Sequence, residues 1–358
     1  MSSHDYGLIL AGGRGTRFWP RSRKRSAKQV LNVVGERSLI QATVDRLAPV
    51  IPPERLWVLT NDFLRDAIVR QLPEIPKRQI LAEPMQRNTA PAIGLAAHIL
   101  QSQDPDAVMG VFPSDHVVGK PAQYRATVRA ALKAAAGGRL MVVGIQPRWA
   151  ETGYGYIEFP EGTKSGGREP IRVQRFHEKP ELAKAQDYVA AGNFYWNSGM
   201  FFWRASVLLD QLREHLPKTA TILAALPRFG SAGFARKLKQ AFPLCDNISI
   251  DYAVLEKAAQ VSGIAAADFG WNDVGSWNAV YELRRRDRSG NAIAPESVLI
   301  DAENNFVDAR GKWVALVGVK DLIVVDTPDA LLVTTRDRAQ QVGEIVKRLE
   351  KQGHHHLL

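Results

Sequence analysis

The feature that most constrains the fold is an apolar run that stops on a glycine-rich loop, LILAGGRGTR at residues 8–17. A buried strand that ends in such a loop is typical of an open α/β sheet, where ligands bind beyond the carboxyl ends of the strands. Gly12, Gly13 and Gly15 have no Cβ, so successive backbone N–H groups can converge on anionic oxygens. Arg14 and Arg17 add guanidinium donors that suit phosphate. The loop is therefore predicted to bind a polyphosphate.

This loop matches neither of the two common phosphate-binding motifs. A Walker A loop needs Gly-x-x-x-x-Gly-Lys-Ser/Thr, and a dinucleotide fingerprint needs a third glycine where Phe18 stands. Taken alone, Gly13-x-Gly15 is a weak signal and is better explained as a strand-to-turn junction. The next residues, 18–29, favour the functional interpretation, because four arginines and lysines precede Lys28 in a pattern too irregular for an ordinary amphipathic helix.

Strand and helix patterns alternate through the first 145 residues. Apolar runs predict buried parallel strands at 6–11, 55–60, 107–112 and 140–145. Helical patterns lie between them at 39–47, 61–72, 90–102 and 123–136. This order predicts a doubly wound α/β sheet. Shorter alternating strands around 153–159 and 171–178 indicate a mixed-sheet insertion that carries a second substrate.

The sequence pattern changes near residue 291, and the new pattern predicts a small C-terminal β unit. Short apolar runs recur at 297–300, 305–308, 313–317, 322–325 and 331–334, and an amphipathic helix follows at 340–351. Without a strict hexapeptide period, the runs fit either a β-helix or a small sandwich. We place the domain boundary between residues 1–288 and 289–358. Apolar Leu331, Leu332 and Val333 suggest a dimer surface, so a homodimer is expected.

Composition limits the classes of partner. The formal net charge is +10, but the basic residues are scattered apart from the loop region and Arg284-Arg285-Arg286, so nucleic-acid binding is not expected. Cys245 is the only cysteine, which excludes an intrachain disulfide. No apolar stretch reaches the length of a membrane span, and the first residues do not resemble a secretion signal. We expect a cytoplasmic protein that does not bind membranes.

The residues that carry a family resemblance begin in the loop. GGxGTRxWPxSR at 12–23, followed by Lys28-Gln29, resembles the opening signature of the sugar-1-phosphate nucleotidyltransferases, and in this wording the mannose-1-phosphate guanylyltransferases. Further blocks follow in the family's order: EPMQRNTAPA at 83–92, FPSDH at 112–116, EKP at 178–180, WNSGMF at 196–201 and GWNDVGSW at 270–277. Together the blocks cover nearly the whole chain.

The resemblance implies a fold and a reaction. The fold is a mostly parallel mixed sheet of the nucleotidyltransferase (Rossmann-like) type, with a truncated left-handed β-helix at the C-terminus. The reaction transfers GMP from GTP to α-D-mannose 1-phosphate, giving GDP-mannose and pyrophosphate, by direct attack of the sugar phosphate on the α-phosphorus with Mg²⁺. Two alternatives stay open: the same chemistry on a heptose or glucose 1-phosphate, and a non-catalytic nucleotide-sugar sensor. A sensor should have lost the catalytic residues, which are intact here.

Five residues are the candidates for catalysis. The resemblance assigns Asp115 and Asp273 to the metal, and Mg²⁺ commonly takes one or two carboxylates beside phosphates and water. Asp115 after a buried strand could equally cap a helix, whereas Asp273 between two tryptophans would be costly to bury without a cation. Arg14 and Lys28 are expected to bind the triphosphate. Lys179 is the corresponding cation for the sugar phosphate, although Glu-Lys-Pro alone is usually a strand end with a surface ion pair.

The remaining candidates form two groups. The nucleotide-binding group comprises Leu10, Ala11, Gly12, Gly13, Gly15, Thr16, Arg17, Asn88, Thr89 and Ser114. The sugar-phosphate group comprises Gly155, Glu178, Asn197 and Gly199. Asn88, Thr89 and Ser114 are expected to meet the guanine edge, although Asn88-Thr89 could also cap the next helix. Glu178 and Asn197 suit sugar hydroxyls, since one accepts and the other both donates and accepts hydrogen bonds.

Overall fold

The computed structural model describes residues 2–293 and 296–358. The strands are β1 Asp5–Leu10, β2 Leu56–Asn61, β3 Ile80–Glu83, β4 Val108–Pro113, β5 Val117–Val118, β6 Leu140–Ile145, β7 Tyr156–Glu158, β8 Ile171–Arg172, β9 Arg175–His177, β10 Phe194–Arg204, β11 Val261–Ala265, β12 Trp271–Asn272, β13 Ser297–Ile300, β14 Phe306–Asp308, β15 Val314–Val317, β16 Leu322–Thr327 and β17 Ala330–Thr335. The α-helices are α1 Leu39–Leu47, α2 Asp62–Gln71, α3 Thr89–Gln103, α4 Pro121–Ala136, α5 Leu182–Ala191, α6 Ala205–His215, α7 Pro217–Ala224, α8 Phe234–Ala241, α9 Trp277–Leu283 and α10 Val342–Lys351.

A ten-stranded mixed sheet forms the centre of the molecule, with the order β3-β2-β1-β4-β10-β6-β11-β8; in addition, β7 pairs with β10, and β9 pairs with β7. Strands β3, β2, β1 and β4 run parallel, as do β6 and β11. The α/β class and all four predicted strands and helices of the first 145 residues are confirmed. The carboxyl ends of β1 and β4 therefore lie side by side, which places the glycine loop next to Ser114 and Asp115.

The long strand β10 is the main feature that the periodicity did not predict. It runs antiparallel between β4 and β6, and its register with β6 shifts between Asn197 and Phe201. Its aromatic residues alternate between layers, because Trp203 packs with the α3 and α6 side of the sheet while Phe202 packs with the α1 and α4 side. Gly199 lies within this irregular stretch and against Pro113 and His116, at the carboxyl end of β4 beside the glycine loop.

The strands of the C-terminal unit are arranged as in a β-helix and not as in a sandwich, which confirms the fold that the resemblance implied. Strand β13 pairs in parallel with β15, and β14 pairs in parallel with β16, so the chain returns in the same direction on each coil. Strand β17 closes the unit antiparallel to β16. The boundary at residues 288/289 stays a prediction.

A third apolar cluster joins this unit to the glycine-loop segment. Val342 and Val346 of α10 are buried in the same cluster as Phe18 and Trp277. The indole of Trp19 donates to the carbonyl oxygen of Leu357 at 3.0 Å. The C-terminal helix thus packs directly against the predicted phosphate loop. Across the described ranges, no helix combines the length and the apolar character that a membrane crossing would require.

Candidate active site

Hydrogen bonds to its carbonyl oxygens hold the glycine loop in place. The Gln29 side chain donates to the carbonyl oxygens of Ala11, at 2.7 Å, and Gly13, at 3.0 Å. Asn61 donates to the carbonyl of Gly12 at 3.3 Å, and the Leu10 carbonyl accepts from Ser114 N–H at 3.2 Å. In the part of the chain that the structure describes, no hydrogen bond uses the N–H of residues 12–15. The N–H groups of these residues are therefore left free for a ligand, while several carbonyl oxygens of the loop are already engaged.

Gly15 is required by the approach of the following segment. Its φ is +60°, in the left-handed region, and a Cβ there would lie 2.5 Å from the Cβ of Lys28. Thr16 begins the short 3-10 turn after it, and the Ser22 hydroxyl donates to the Gly15 carbonyl at 2.6 Å. The glycine thus lets the chain turn back so that Lys28 lies under the loop.

Lys28, Asp115 and Asp273 meet at one point of the cleft. The Lys28 Nζ donates to Asp115 Oδ2 at 2.9 Å and to the backbone oxygen of Asp273 at 2.6 Å, and its side chain is only 7% exposed. Burial alone would raise the pKa of Asp115, but the surrounding charges and hydrogen bonds, those of Lys28 first, hold that pKa below its usual value. Asp115 is therefore ionised at neutral pH. Three of the five predicted catalytic residues are in direct contact.

The carboxylate of Asp273 is held in place by its neighbours. The Tyr154 hydroxyl donates to Asp273 Oδ1 at 2.5 Å, and the Gly275 N–H donates to the same oxygen at 3.1 Å. Burial, and then the nearby Asp273 charge, raise the pKa of the Tyr154 phenol, so it stays protonated and remains a donor. Gly275 leaves room for both groups, because a Cβ there would lie 2.9 Å from Asp273 Oδ2 and 3.5 Å from a guanidinium nitrogen of Arg17.

His116 stands beside Asp115 as a neutral ring. Burial lowers the pKa of His116 to about 4, so the imidazole is uncharged at neutral pH. The Trp271 indole donates to Nδ1 at 3.2 Å, which assigns the ring proton to Nε2, the nitrogen on the Asp115 side. His116 therefore offers a donor, not a charge, to the cleft.

Both loop arginines reach partners in the C-terminal helix region. Arg14 forms an ion pair with Glu350 of α10 at 2.5 Å, and Arg17 donates to Gln340 at 2.7 Å. Both members of the Arg14–Glu350 pair are more than a third exposed, so the pair is weak. A triphosphate entering the loop could therefore displace Glu350 from Arg14 at little cost.

The sugar-phosphate candidates gather next to Tyr154. The Asn197 N–H donates to the Gly155 carbonyl at 2.7 Å, and Gly199 N–H donates to Asn197 Oδ1 at 3.1 Å. A Cβ on Gly155 would lie 2.6 Å from Oε2 of Glu178, so a larger residue there would displace the Glu178 carboxylate. Lys179 is exposed and pairs with the adjacent Glu178. Among the described residues, no contact joins Lys179 to Asp115 or Asp273.

Two of the residues predicted to contact the guanine edge, Asn88 and Thr89, instead form hydrogen bonds around the start of α3. Asn88 caps α3, with its side chain accepting from the Thr89 N–H at 2.9 Å, and the Thr89 hydroxyl accepts from Ile250 N–H at 2.9 Å. Ser114 is buried, and its carbonyl accepts from Thr43. The capping interpretation of Asn88 is thus confirmed, whereas base recognition stays a prediction.

Four residues of the cleft carried no role in the sequence analysis: His116, Tyr154, Asp251 and Glu350. His116 follows Asp115 directly, and Tyr154 lies between Gly153 and Gly155, so neighbouring motif residues could have pointed to both. Asp251 accepts from Asn197 Nδ2 at 3.0 Å across 54 positions. Glu350 lies 336 positions from Arg14. No local pattern identifies these last two.

Comparison with known families gives two matches along the chain. Residues 6–290 match the nucleotidyl transferase family, and residues 295–349 match the mannose-phosphate isomerase/GMP-like β-helix domain. Together the two matches span the central sheet and the C-terminal unit.

Curated relatives align over nearly the whole chain. The xanthan biosynthesis protein XanB of Xanthomonas campestris pv. campestris (strain B100) is 42% identical over 97% of this chain and 73% of its own length. A mannose-1-phosphate guanylyltransferase of Escherichia coli K12 is 39% identical over 98% of this chain and 74% of its own. A solved structure described as a mannose-1-phosphate geranyltransferase from Thermus thermophilus superposes with a TM-score of 0.86 at 34% identity, covering 97% of this chain and 99% of the other.

Proposed function

The chain belongs to the nucleotidyl transferase family, and on that premise we propose that it transfers GMP from GTP to α-D-mannose 1-phosphate, forming GDP-mannose and pyrophosphate. The observation that carries the proposal is the meeting of Lys28, Asp115 and Asp273 beside a loop whose N–H groups at residues 12–15 make no hydrogen bond within the described chain. The sugar-phosphate candidates adjoin this point through Tyr154 and Gly155.

The chemistry requires one phosphate to approach another. An oxygen of the sugar phosphate attacks the α-phosphorus, the bond from that phosphorus to the bridging β-phosphate oxygen breaks, and pyrophosphate leaves with the electron pair. No proton has to move, so positioning and neutralisation supply the catalysis. The loop N–H groups, Arg14 and Lys28 bind the triphosphate, and Lys28 is placed to offset charge on the α-phosphate and the leaving group.

We propose Mg²⁺ as the cofactor, held by Asp115 and Asp273. In the described ranges no group of three or more His, Cys, Asp or Glu side chains is placed to hold a metal. Two carboxylates suit Mg²⁺, which usually takes one or two together with phosphate oxygens and water. When bound, the ion neutralises phosphate charge and fixes the phosphates relative to each other. Tyr154 and the Gly275 N–H orient Asp273 for this task.

The sugar phosphate is proposed to bind between Gly155, Glu178 and Asn197, with Lys179 on its phosphate. Lys179 is exposed, on a flexible side chain, and pairs only with its neighbour Glu178 among the described contacts. Its role therefore requires the ammonium to swing from Glu178 to the incoming phosphate. Glu178 is then released for a sugar hydroxyl.

We also propose a homodimer in the cytoplasm. Of the predicted surface residues, Leu331 and Val333 are exposed, whereas Leu332 points into the core and is wrong as a surface residue; Val298, Ile300 and Val317 of the same β unit are also exposed. An apolar surface of this kind is usually covered by another chain. The use of GTP supports this location, and a single cysteine, which forms no intrachain disulfide, is consistent with it. Light scattering should give twice the chain mass of 39.6 kDa; the mass of one chain would refute the dimer.

The experiment that tests the function is pyrophosphate release from GTP with mannose, glucose and heptose 1-phosphates, each in Mg²⁺. Fastest turnover with mannose 1-phosphate supports the proposal. Faster turnover of another sugar would keep the chemistry and displace mannose, whereas no release with any sugar would favour a non-catalytic sensor. Replacing GTP by ATP, UTP or dTTP tests the base in the same assay.

A further inference from the structure

Asp251 faces the sugar-phosphate candidates, although no step described above uses it. It begins a single π turn, Asp251–Leu255, that follows the segment leading out of α8. Its carboxylate accepts from Asn197 Nδ2 at 3.0 Å. Burial, and then the charge of Glu178, raise the pKa of Asp251 to about 6, while the Asn197 hydrogen bond and Lys179 oppose that rise. A buried carboxylate within the field of another is costly, so its hydrogen bonds are of interest.

The Asn197 carboxamide is held at both ends. Its Oδ1 accepts from the Gly199 N–H at 3.1 Å, so the two ends of the carboxamide are held by two different partners. An ionised carboxylate only accepts, so the end of the amide that faces Asp251 must be the NH₂ group. One N–H and one lone pair then remain, and their directions are set.

The segment that carries Asp251 is itself anchored to the nucleotide side of the cleft. The Ile250 N–H donates to the Thr89 hydroxyl at 2.9 Å, and the Ala90 N–H donates to the carbonyl of Ile248 at 3.1 Å. The start of α3, the Asp251 turn and Asn197 therefore form one continuous set of hydrogen bonds. Asp251 is fixed in position relative to both predicted substrate pockets.

We propose that Asp251 is a positioning residue, which fixes the Asn197 carboxamide in the single orientation that hydrogen-bonds a hydroxyl group of the sugar phosphate. The inference rests on the proposed function, since it assigns Asn197 to the sugar pocket. Asp251 acts through Asn197 and is not required to contact the substrate.

The test compares two variants of Asp251 in the full-length protein, with KM measured separately for GTP and for the sugar 1-phosphate that the wild type uses best. Asp251→Ala removes the acceptor and should raise KM for the sugar phosphate about tenfold, the effect of losing one charged hydrogen bond. Asp251→Asn keeps an oxygen that can accept, so its KM should lie between those of Asp251→Ala and the wild type. KM for GTP should stay at the wild-type value in both.

Asp246→Ala is the matched control. Asp246 lies on the same segment, and its carboxylate accepts from the Thr219 hydroxyl at 2.6 Å, away from Asn197. This variant should lower the melting temperature without changing either KM. If it raises KM for the sugar phosphate as much as Asp251→Ala does, a loosened segment explains the effect and the proposal is wrong. Equal changes in both KM values for Asp251→Ala, or no change, would also overturn it.

A double variant separates positioning from stability. Asn197→Asp combined with Asp251→Asn exchanges the two partners and keeps a carboxylate–amide hydrogen bond, so the melting temperature should recover relative to Asn197→Asp. KM for the sugar phosphate should stay raised, because position 197 has lost its N–H donor; recovery of KM would contradict the proposal. Failure of the wild type to turn over any sugar phosphate would instead refute the proposed function, which the wild-type assay shows separately.

Discussion

Tyr154→Phe removes one hydroxyl group from the cleft and nothing else. That hydroxyl donates to Asp273 Oδ1 at 2.5 Å, and Asp273 is one of the two proposed Mg²⁺ ligands. Without the hydroxyl, the carboxylate keeps the Gly275 N–H at 3.1 Å but gains freedom to rotate. We therefore expect a weaker metal site in a protein that is otherwise intact.

The magnitude follows from the type of bond. A hydrogen bond to a charged group contributes about 1.5–3 kcal/mol, and the loss of a residue that orients a metal ligand lowers metal affinity about 10- to 100-fold. Since Gly275 still holds the same oxygen, the lower end applies. The Mg²⁺ concentration for half-maximal activity should rise about tenfold, or about 1.4 kcal/mol, while activity at saturating Mg²⁺ should fall much less.

The assay is pyrophosphate release against Mg²⁺ concentration, with GTP and sugar phosphate held constant. Tyr156→Phe is the matched control, because the Tyr156 hydroxyl also makes a hydrogen bond, to the Glu151 carbonyl at 2.9 Å, but touches no proposed ligand. The control should show the wild-type Mg²⁺ curve. Identical Mg²⁺ curves for Tyr154→Phe and the wild type would remove Tyr154, and with it the proposed role of Asp273, from the metal site.

Three further outcomes are expected. Gly15→Ala should destabilise the protein by about 1–3 kcal/mol in urea unfolding and abolish turnover, because a Cβ would collide with Lys28 at a φ of +60°; an unchanged unfolding midpoint would contradict this. Lys179→Ala should raise KM for the sugar phosphate far more than KM for GTP, and an equal rise in both would exclude it from the sugar-phosphate pocket. Burial raises the pKa of Glu83 to about 8, against 4.5 for the free side chain, so the folded protein keeps a proton that the unfolded chain loses. Stability should therefore decline as pH rises between those values, and Glu83→Gln should remove that part of the decline; an unchanged slope would show that Glu83 ionises normally.

Features encoded by neighbouring residues could be predicted from the sequence. The apolar run before the glycine loop, the helix over 39–47 and the Pro-Ser-Asp at the end of β4 each follow from a local pattern, and the structure places them as expected. Strand β10 was missed because Asn197-Ser198-Gly199 interrupts its apolar residues, which hides the strand pattern. Strand β3 has only four residues, too few to show a period.

The contacts that complete the site are long-range, and the sequence could not reveal them. Tyr154 and Asp273 are 119 positions apart, and Arg14 meets Glu350 only because α10 folds back onto the loop. Such pairs depend on how the C-terminal unit and the β7 region pack against the sheet. The types of residue in the site were therefore predictable, but not the groups that orient them.

The most direct test of the central claim is a crystal structure with GDP-mannose and Mn²⁺, which substitutes for Mg²⁺ and gives an anomalous signal. We expect a peak about 2.1 Å from a carboxylate oxygen of both Asp115 and Asp273, with the phosphates against the glycine loop and mannose beside Glu178 and Asn197. A metal peak away from either carboxylate, or mannose bound outside that pocket, would contradict the proposal that GTP and the sugar phosphate react in this one cleft.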